Sequence, residues 1–145
     1  MTYYFSATRL GDFEPAVEAT REALKAEGFG VITEINVTRT LRDKIGVDFR
    51  PYLILGACNP RMAYEALMLD DKIGAMLPCN VVVQETEPGQ IEISAVDPVE
   101  YMRAVENPDL LAHARAVGVQ LRRVIERLRA DGSEKPRAAP APAAV

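Results

Sequence analysis

The run Leu53-Ile-Leu-Gly-Ala-Cys58-Asn-Pro60 restricts this chain more than any other stretch. Apolar residues alternate with apolar residues, so a strand here must be covered on both faces and lie inside a sheet. Asn59 then supplies a helix N-cap, and Pro60 takes the first helical position, where no backbone N–H is needed. Apolar residues Met62, Ala63, Ala66, Leu67 and Leu69 predict a helix that packs back on the sheet and stops at Asp70-Asp71, because carboxylates disfavour a helix C-terminus. The chain returns through Ile73 to Leu77 into Cys79-Asn-Val-Val-Val83, a second apolar strand. Both cysteines fall in this unit, in the mirrored tripeptides Cys58-Asn59-Pro60 and Pro78-Cys79-Asn80.

The flanking sequence extends the same grammar. Thr2 to Thr8 alternates as a strand. Asp12, Glu14 and Pro15 open a helix that Gly28 closes, with Phe29 placed to complete a Schellman end. Gly30 to Val37 reads as a strand with Val31, Thr33 and Ile35 on one face. Thr38 to Lys44 forms a short helix capped by Thr38 or Thr40 and ended by Gly46. Pro88-Gly89 turns the valine strand into Ile91 to Val96, a hairpin whose Glu92 and Ser94 suggest an edge. Asp97-Pro98 opens a short helix. Asn107 or Asp109 opens a long one with the stripe Val117, Leu121, Val124, Ile125 and Leu128. The arginines at 115, 122, 123, 127 and 129 are expected mostly elsewhere on its surface.

The resulting order, β-α-β-(short helix)-β-α-β-β-α-α, predicts an α+β fold. The expected form is a ferredoxin-like βαββαβ-type sandwich, extended by a C-terminal hairpin strand and two helices. A doubly wound parallel sheet is the weaker alternative, since no strand leads into a Gly-rich phosphate loop. Residues 1–130 form one expected domain, and 131–145, rich in Pro and Ala, an expected disordered tail.

Composition narrows the function classes. With 48% hydrophobic residues over 145 positions, a full core is available. A net charge of −4 argues against nucleic-acid binding. No apolar run reaches membrane-span length, and the N-terminus lacks the basic-then-apolar pattern of a secretion signal, so a cytoplasmic location is expected. Two cysteines do not make a disulfide framework.

Gly56-Ala57-Cys58-Asn59-Pro60, Ala63, Ala66-Leu67 and Leu77-Pro78-Cys79-Asn80 before the valines together resemble the domain of unknown function 302 family of bacterial and archaeal proteins. Thr40-Leu41, Lys44, Gly46 and Tyr52 match the upstream part of that pattern. The resemblance covers about residues 1 to 104. It implies a small α+β fold and a homodimer, and it implies no activity; the cofactor is left open.

The residues that could carry chemistry are few. Cys58 precedes a helix N-terminus, whose partial positive charge favours a thiolate. Equally, it is a small apolar residue at a strand end. Cys79 shares a face with Val81 and Val83 and reads as core. A right-handed crossover would separate the two thiols, so no intrachain disulfide is expected unless the segment 71–77 climbs back. Two thiols are too few for a closed zinc site, and His113, the one histidine, receives no role. Asn59 and Asn80 read as local caps, Tyr52 as a core residue with a polar tip, and Lys44 as an anion contact or a solvated lysine. The ligand-binding candidates are therefore Cys58, Asn59, Cys79, Asn80, Tyr52 and Lys44, with no metal ligands assigned. They are compatible with a homodimeric small-ligand or soft-metal binding module, with a thiol-dependent redox or sulfur-transfer protein using Cys58, or with a structural domain whose cysteines are core. Whether the protein is an enzyme is left open.

Overall fold

The computed structural model describes residues 2–131; the expected tail lies, from residue 132 on, outside the described residues. The strands are β1 (Tyr4–Leu10), β2 (Gly30–Asn36), β3 (Tyr52–Cys58), β4 (Cys79–Glu87) and β5 (Gln90–Val96). The helices are α1 (Phe13–Ala26), α2 (Val37–Ile45), α3 (Pro60–Leu69), α4 (Pro98–Met102) and α5 (Pro108–Asp131). The strands form one antiparallel sheet in the order β1-β5-β4-β3-β2. Helices α1 and α5 cover one face of this sheet, giving the α+β sandwich that the pattern predicts.

Local chemistry sets the helix ends. At the end of α1, Phe29 N–H donates to Leu24 O and Gly28 N–H to Lys25 O, a Schellman closure with Gly28 at φ 88°. Asn59 Oδ1 accepts from Met62 N–H at 3.2 Å to start α3. Asp97 does the same for Val99 N–H in α4, and Asn107 for Asp109 and Leu110 N–H in α5. The cap of α2 differs from expectation. Asn36, not Thr38 or Thr40, accepts from Arg39 N–H. Thr38 instead donates to Arg50 O and accepts from Tyr52 N–H, tying α2 to the start of β3.

The core lies between the sheet and α1 and α5. Leu55, Val81, Val83, Ile91 and Ile93 meet Leu24, Leu121, Val124, Ile125 and Leu128 with essentially no exposure. Each such side chain contributes about 1.5–3 kcal/mol on burial. Several α5 arginines also hold the layers together. Arg127 pairs with Glu27 at 2.8 Å, Arg129 donates to Ser6 O, and Arg122 stacks over Phe5. A second, smaller cluster joins Ala66, Ile73, Met102, Leu110 and Ala114 at one end of the sheet.

Three expectations are corrected. First, β5 is not an edge. It lies between β1 and β4, and Glu92 and Ser94 point outward because the sheet's second face carries no helix. Second, the register of β2 shifts between Val31 and Thr33. The bulge leaves Val31 against the core while Thr33 and Ile35 lie on the opposite face, so strict alternation fails at Ile32. Third, β3 and β4 are antiparallel neighbours rather than the two strands of a crossover. Helix α3 carries the chain away, and the 3-10 turn Ile73–Met76, anchored by buried Ile73, brings it back to the end it left. Leu67 and Leu69, expected inside, are consequently exposed on a helix that buries only Ala66.

Candidate functional site

The return of β4 beside β3 assembles the site. Ala57 and Cys79 are directly opposed in the ladder. Opposed Cα atoms sit roughly 5 Å apart and one strand residue adds about 3.5 Å along it, so the Cα atoms of Cys58 and Cys79 lie roughly 6 Å apart. Both thiols are free. Both residues line a cavity of about 40 Å³ beneath the ends of β3 and β4, roofed by α3, α4 and α5. That is room for two or three water molecules at roughly 10–15 Å³ each. The cavity sits at the junction of the two hydrophobic clusters, with Phe29, Met62, Ala66, Met102 and Val117 among its walls.

Gly56 makes the close strand approach possible. A Cβ there would fall far inside contact distance of Thr33 Oγ1 and 2.7 Å from Pro78 Cγ. Any larger residue would push β2 or the Pro78–Cys79 start of β4 away, and with them the cavity floor.

Besides Cys58 and Asn59, three polar residues line this otherwise apolar space. Cys79 Sγ and Tyr101 Oη lie 3.8 Å apart as a hydrogen-bonded pair. Burial pushes the Cys79 thiol up; the Tyr101 bond opposes this, and Cys58 adds to it. Burial likewise pushes the Tyr101 phenol far up, helped by Cys79 and Asp97. Both groups are therefore protonated at neutral pH and act as hydrogen-bonding groups, not as bases or nucleophiles. The third function is His113 Nε2, which is buried and makes no hydrogen bond. Its nearest carboxylate oxygen, Glu65 Oε1, is 3.9 Å away, beyond hydrogen-bond reach.

The candidates from sequence are divided among different places. Cys58, Asn59 and Cys79 line the cavity, with the Asn59 carbonyl already used as the α3 cap. Asn80 is exposed opposite Gly56, on the sheet face without helices. Tyr52 borders a separate open cleft of about 780 Å³ between α1, α2 and the β2–β3 edge, where Arg21 pairs with Glu34. Lys44 is exposed on α2 and borders neither space. Sequence reasoning missed Tyr101 and His113. His113 occupies the i+3 position of the i, i+3, i+4, i+7 stripe that Leu110, Ala114 and Val117 complete, which is the one signal that could have placed it at the core boundary. Among the described residues no group of three or more His, Cys, Asp or Glu could hold a metal ion. Among them, too, no helix is long and apolar enough to cross a membrane.

Comparison with curated proteins gives no match. Among solved structures, the chain is similar to the uncharacterized conserved protein DUF302 from Bacillus stearothermophilus. The TM-score is 0.82 at 31% identity, over 89% of this chain and 100% of that one. The sequence pattern of Domain of unknown function DUF302 matches residues 5–128, and the chain therefore belongs to the DUF302 family.

Proposed function

We propose that this protein is a small-ligand binding module that works as a homodimer, with its site in the cavity beneath Cys58 and Cys79. The observation that carries the reading is a recess with largely apolar walls that holds the free Cys58 and the Cys79–Tyr101 pair, with Asn59 and His113 also in its lining. A few convergent polar groups in an apolar recess are the usual makings of a binding site. A fragment screen by thermal shift tests it. Compounds that stabilise the wild type should lose their effect on Ala63→Phe, which fills the recess from α3. Equal stabilisation of both proteins would refute the site.

The dimer reading has separate support. Helix α2 buries none of its residues, and Ile32, Ile35, Ile45 and Val47 are 43–66% exposed around the free edge of β2. An unpaired apolar edge invites a second copy. Light scattering should give about 32 kDa, twice the 15.9 kDa chain, and Ile35→Lys should halve it. A wild-type monomer at micromolar concentration would end the dimer reading.

A thiol-dependent redox or sulfur-transfer role is the second reading. It is favoured by the half-buried Cys58 at the end of β3, just before the α3 N-cap and one residue from the position opposite Cys79. It requires a reactive Cys58, and a Cys58 no faster than a denatured thiol would exclude it.

A further inference from the structure

The sequence lets its two cysteines meet only if the segment 71–77 climbs back to the end of β3, and the 3-10 turn at Ile73–Met76 makes it do so. Cys58 is the last residue of β3 and Cys79 the first of β4. Ala57 is paired with Cys79, so the two cysteine Cα atoms lie roughly 6 Å apart on the diagonal, within the roughly 4.4–6.8 Å that a disulfide spans. Successive strand residues project to opposite faces. At Cys58, however, the pleat ends and the chain turns into the α3 cap Asn59, and both cysteines line one recess. Both are free, and the chain has no other cysteine.

The two thiols are unequal. Cys58 is half-buried and stands directly before the α3 N-cap. Cys79 is only 7% exposed, and that burial holds it protonated at rest. Tyr101 Oη, 3.8 Å from Cys79 Sγ, favours the charged sulfur and so eases the loss of that proton when the thiol reacts. An accessible thiol beside a sheltered one is the arrangement of an attacking and a resolving cysteine: the first meets an incoming reagent, the second displaces it.

Resting on the thiol reading above, we infer that Cys58 and Cys79 form a reversible disulfide by exchange with a low-molecular-weight disulfide, RS–SR. Cys58 Sγ attacks one sulfur of RS–SR and the S–S bond breaks. The departing RS⁻ takes the Cys58 proton, leaving a mixed disulfide on Cys58 and one RSH. Cys79, a hydrogen-bonding group until then, attacks Cys58 Sγ. The mixed disulfide breaks, and the second RS⁻ leaves with the Cys79 proton as RSH. Two protein thiols are oxidised, one external disulfide is reduced to two thiols, and no other reagent is consumed. The resulting bond is diagonal across the ladder and partly exposed at Cys58, which places it among labile disulfides rather than structural staples.

The reduced full chain is mixed with glutathione disulfide, quenched with acid at intervals and followed by intact mass. The wild type should pass through a single glutathione adduct and end two hydrogens lighter than it began, with the peptides carrying Cys58 and Cys79 joined. Cys79→Ser should stop at the adduct on Cys58, and Cys58→Ser should stay unmodified while folded. Tyr101→Phe should form the adduct at the wild-type rate and close it about tenfold more slowly, the loss of one hydrogen bond to an ionising sulfur. Should Cys79→Ser fail to fold, the joined peptides and the adduct's rise and fall in the wild type decide the same point. A wild-type adduct on Cys58 that never closes would overturn the pairing and leave the thiol reading standing. A bond formed between two chains, or formed only in urea, would overturn the pairing as well. Equal slowing of both steps in Tyr101→Phe would remove Tyr101 from the closing step. Neither an adduct on Cys58 nor closure in any folded variant would overturn both this inference and the thiol reading beneath it.

Discussion

Gly56→Ala is the sharpest test of how the strands assemble the site. The new methyl would collide with Thr33 Oγ1 on one side and the Pro78 ring on the other, the latter at 2.7 Å. Neither neighbour yields easily: Thr33 is β-branched within β2, and the Pro78 ring is fixed beside Cys79. Overpacking of this kind costs about 1–3 kcal/mol, and two simultaneous contacts place the change near the upper end, about 3 kcal/mol. For a chain of this length that corresponds to a melting temperature lower by roughly 6–12 °C. Urea denaturation at neutral pH measures the loss directly. Thr33→Ala removes Oγ1 and leaves the Thr33 Cβ at 3.4 Å from the added methyl. In the double variant it should restore about 1–2 kcal/mol, a coupling typical of residues in contact. A Gly56→Ala protein within about 0.5 kcal/mol of wild type, the scale of an innocuous surface change, would refute the steric account of why β3 and β4 can meet at the cavity.

Cys79 and Tyr101 both hold their protons more tightly folded than unfolded. Their contribution is thus complete below the ordinary thiol value of about 8.5 and is lost as pH rises above it. Urea midpoints should fall above that pH, and Cys79→Ser should delay the fall toward about pH 10, where unfolded Tyr begins to ionise; an unchanged onset would remove the thiol from the account. Leu121→Ala, at a fully buried α5 position, should cost about 2–5 kcal/mol by denaturation; a loss under 1 kcal/mol would mean α5 does not seal the core. Asn59→Ala should cost about 1 kcal/mol through the lost α3 cap, whereas Asn80→Ala, at an exposed position, should stay within about 0.5 kcal/mol. Equal effects would show that the two mirrored asparagines have the same role after all.

The sequence alone determined the elements and most of their ends, the cap of α2 excepted. The apolar run at 53–58 specified a strand with neighbours on both edges, although helices cover only the face that carries Leu53, Leu55 and Ala57. Gly28 with Phe29, Asn59 with Pro60, and Asp97 with Pro98 fixed helix boundaries through interactions spanning only a few residues, so reading them requires no knowledge of the fold. The stripe from Val117 to Leu128 likewise announced which face of α5 is buried. The family resemblance was legible for the same reason, since its signature is a local one.

What only the tertiary structure decided is where those elements meet. Periodicity says which face of a strand is apolar but not which strand lies next to it. The antiparallel pairing of β3 with β4 depends on the 3-10 turn around Ile73 and on the absence of a Cβ at Gly56, and the second is a contact with Thr33 and Pro78, two distant parts of the chain. The same long-range packing makes β5 internal and leaves β2 as the exposed edge. It also brings Tyr101 onto Cys79 and His113, from the next helix, into the lining of the same cavity. Tyr52, Lys44 and Asn80 share the sequence signature but lie elsewhere, because a motif records neighbours along the chain, whereas a cavity is made by neighbours in space.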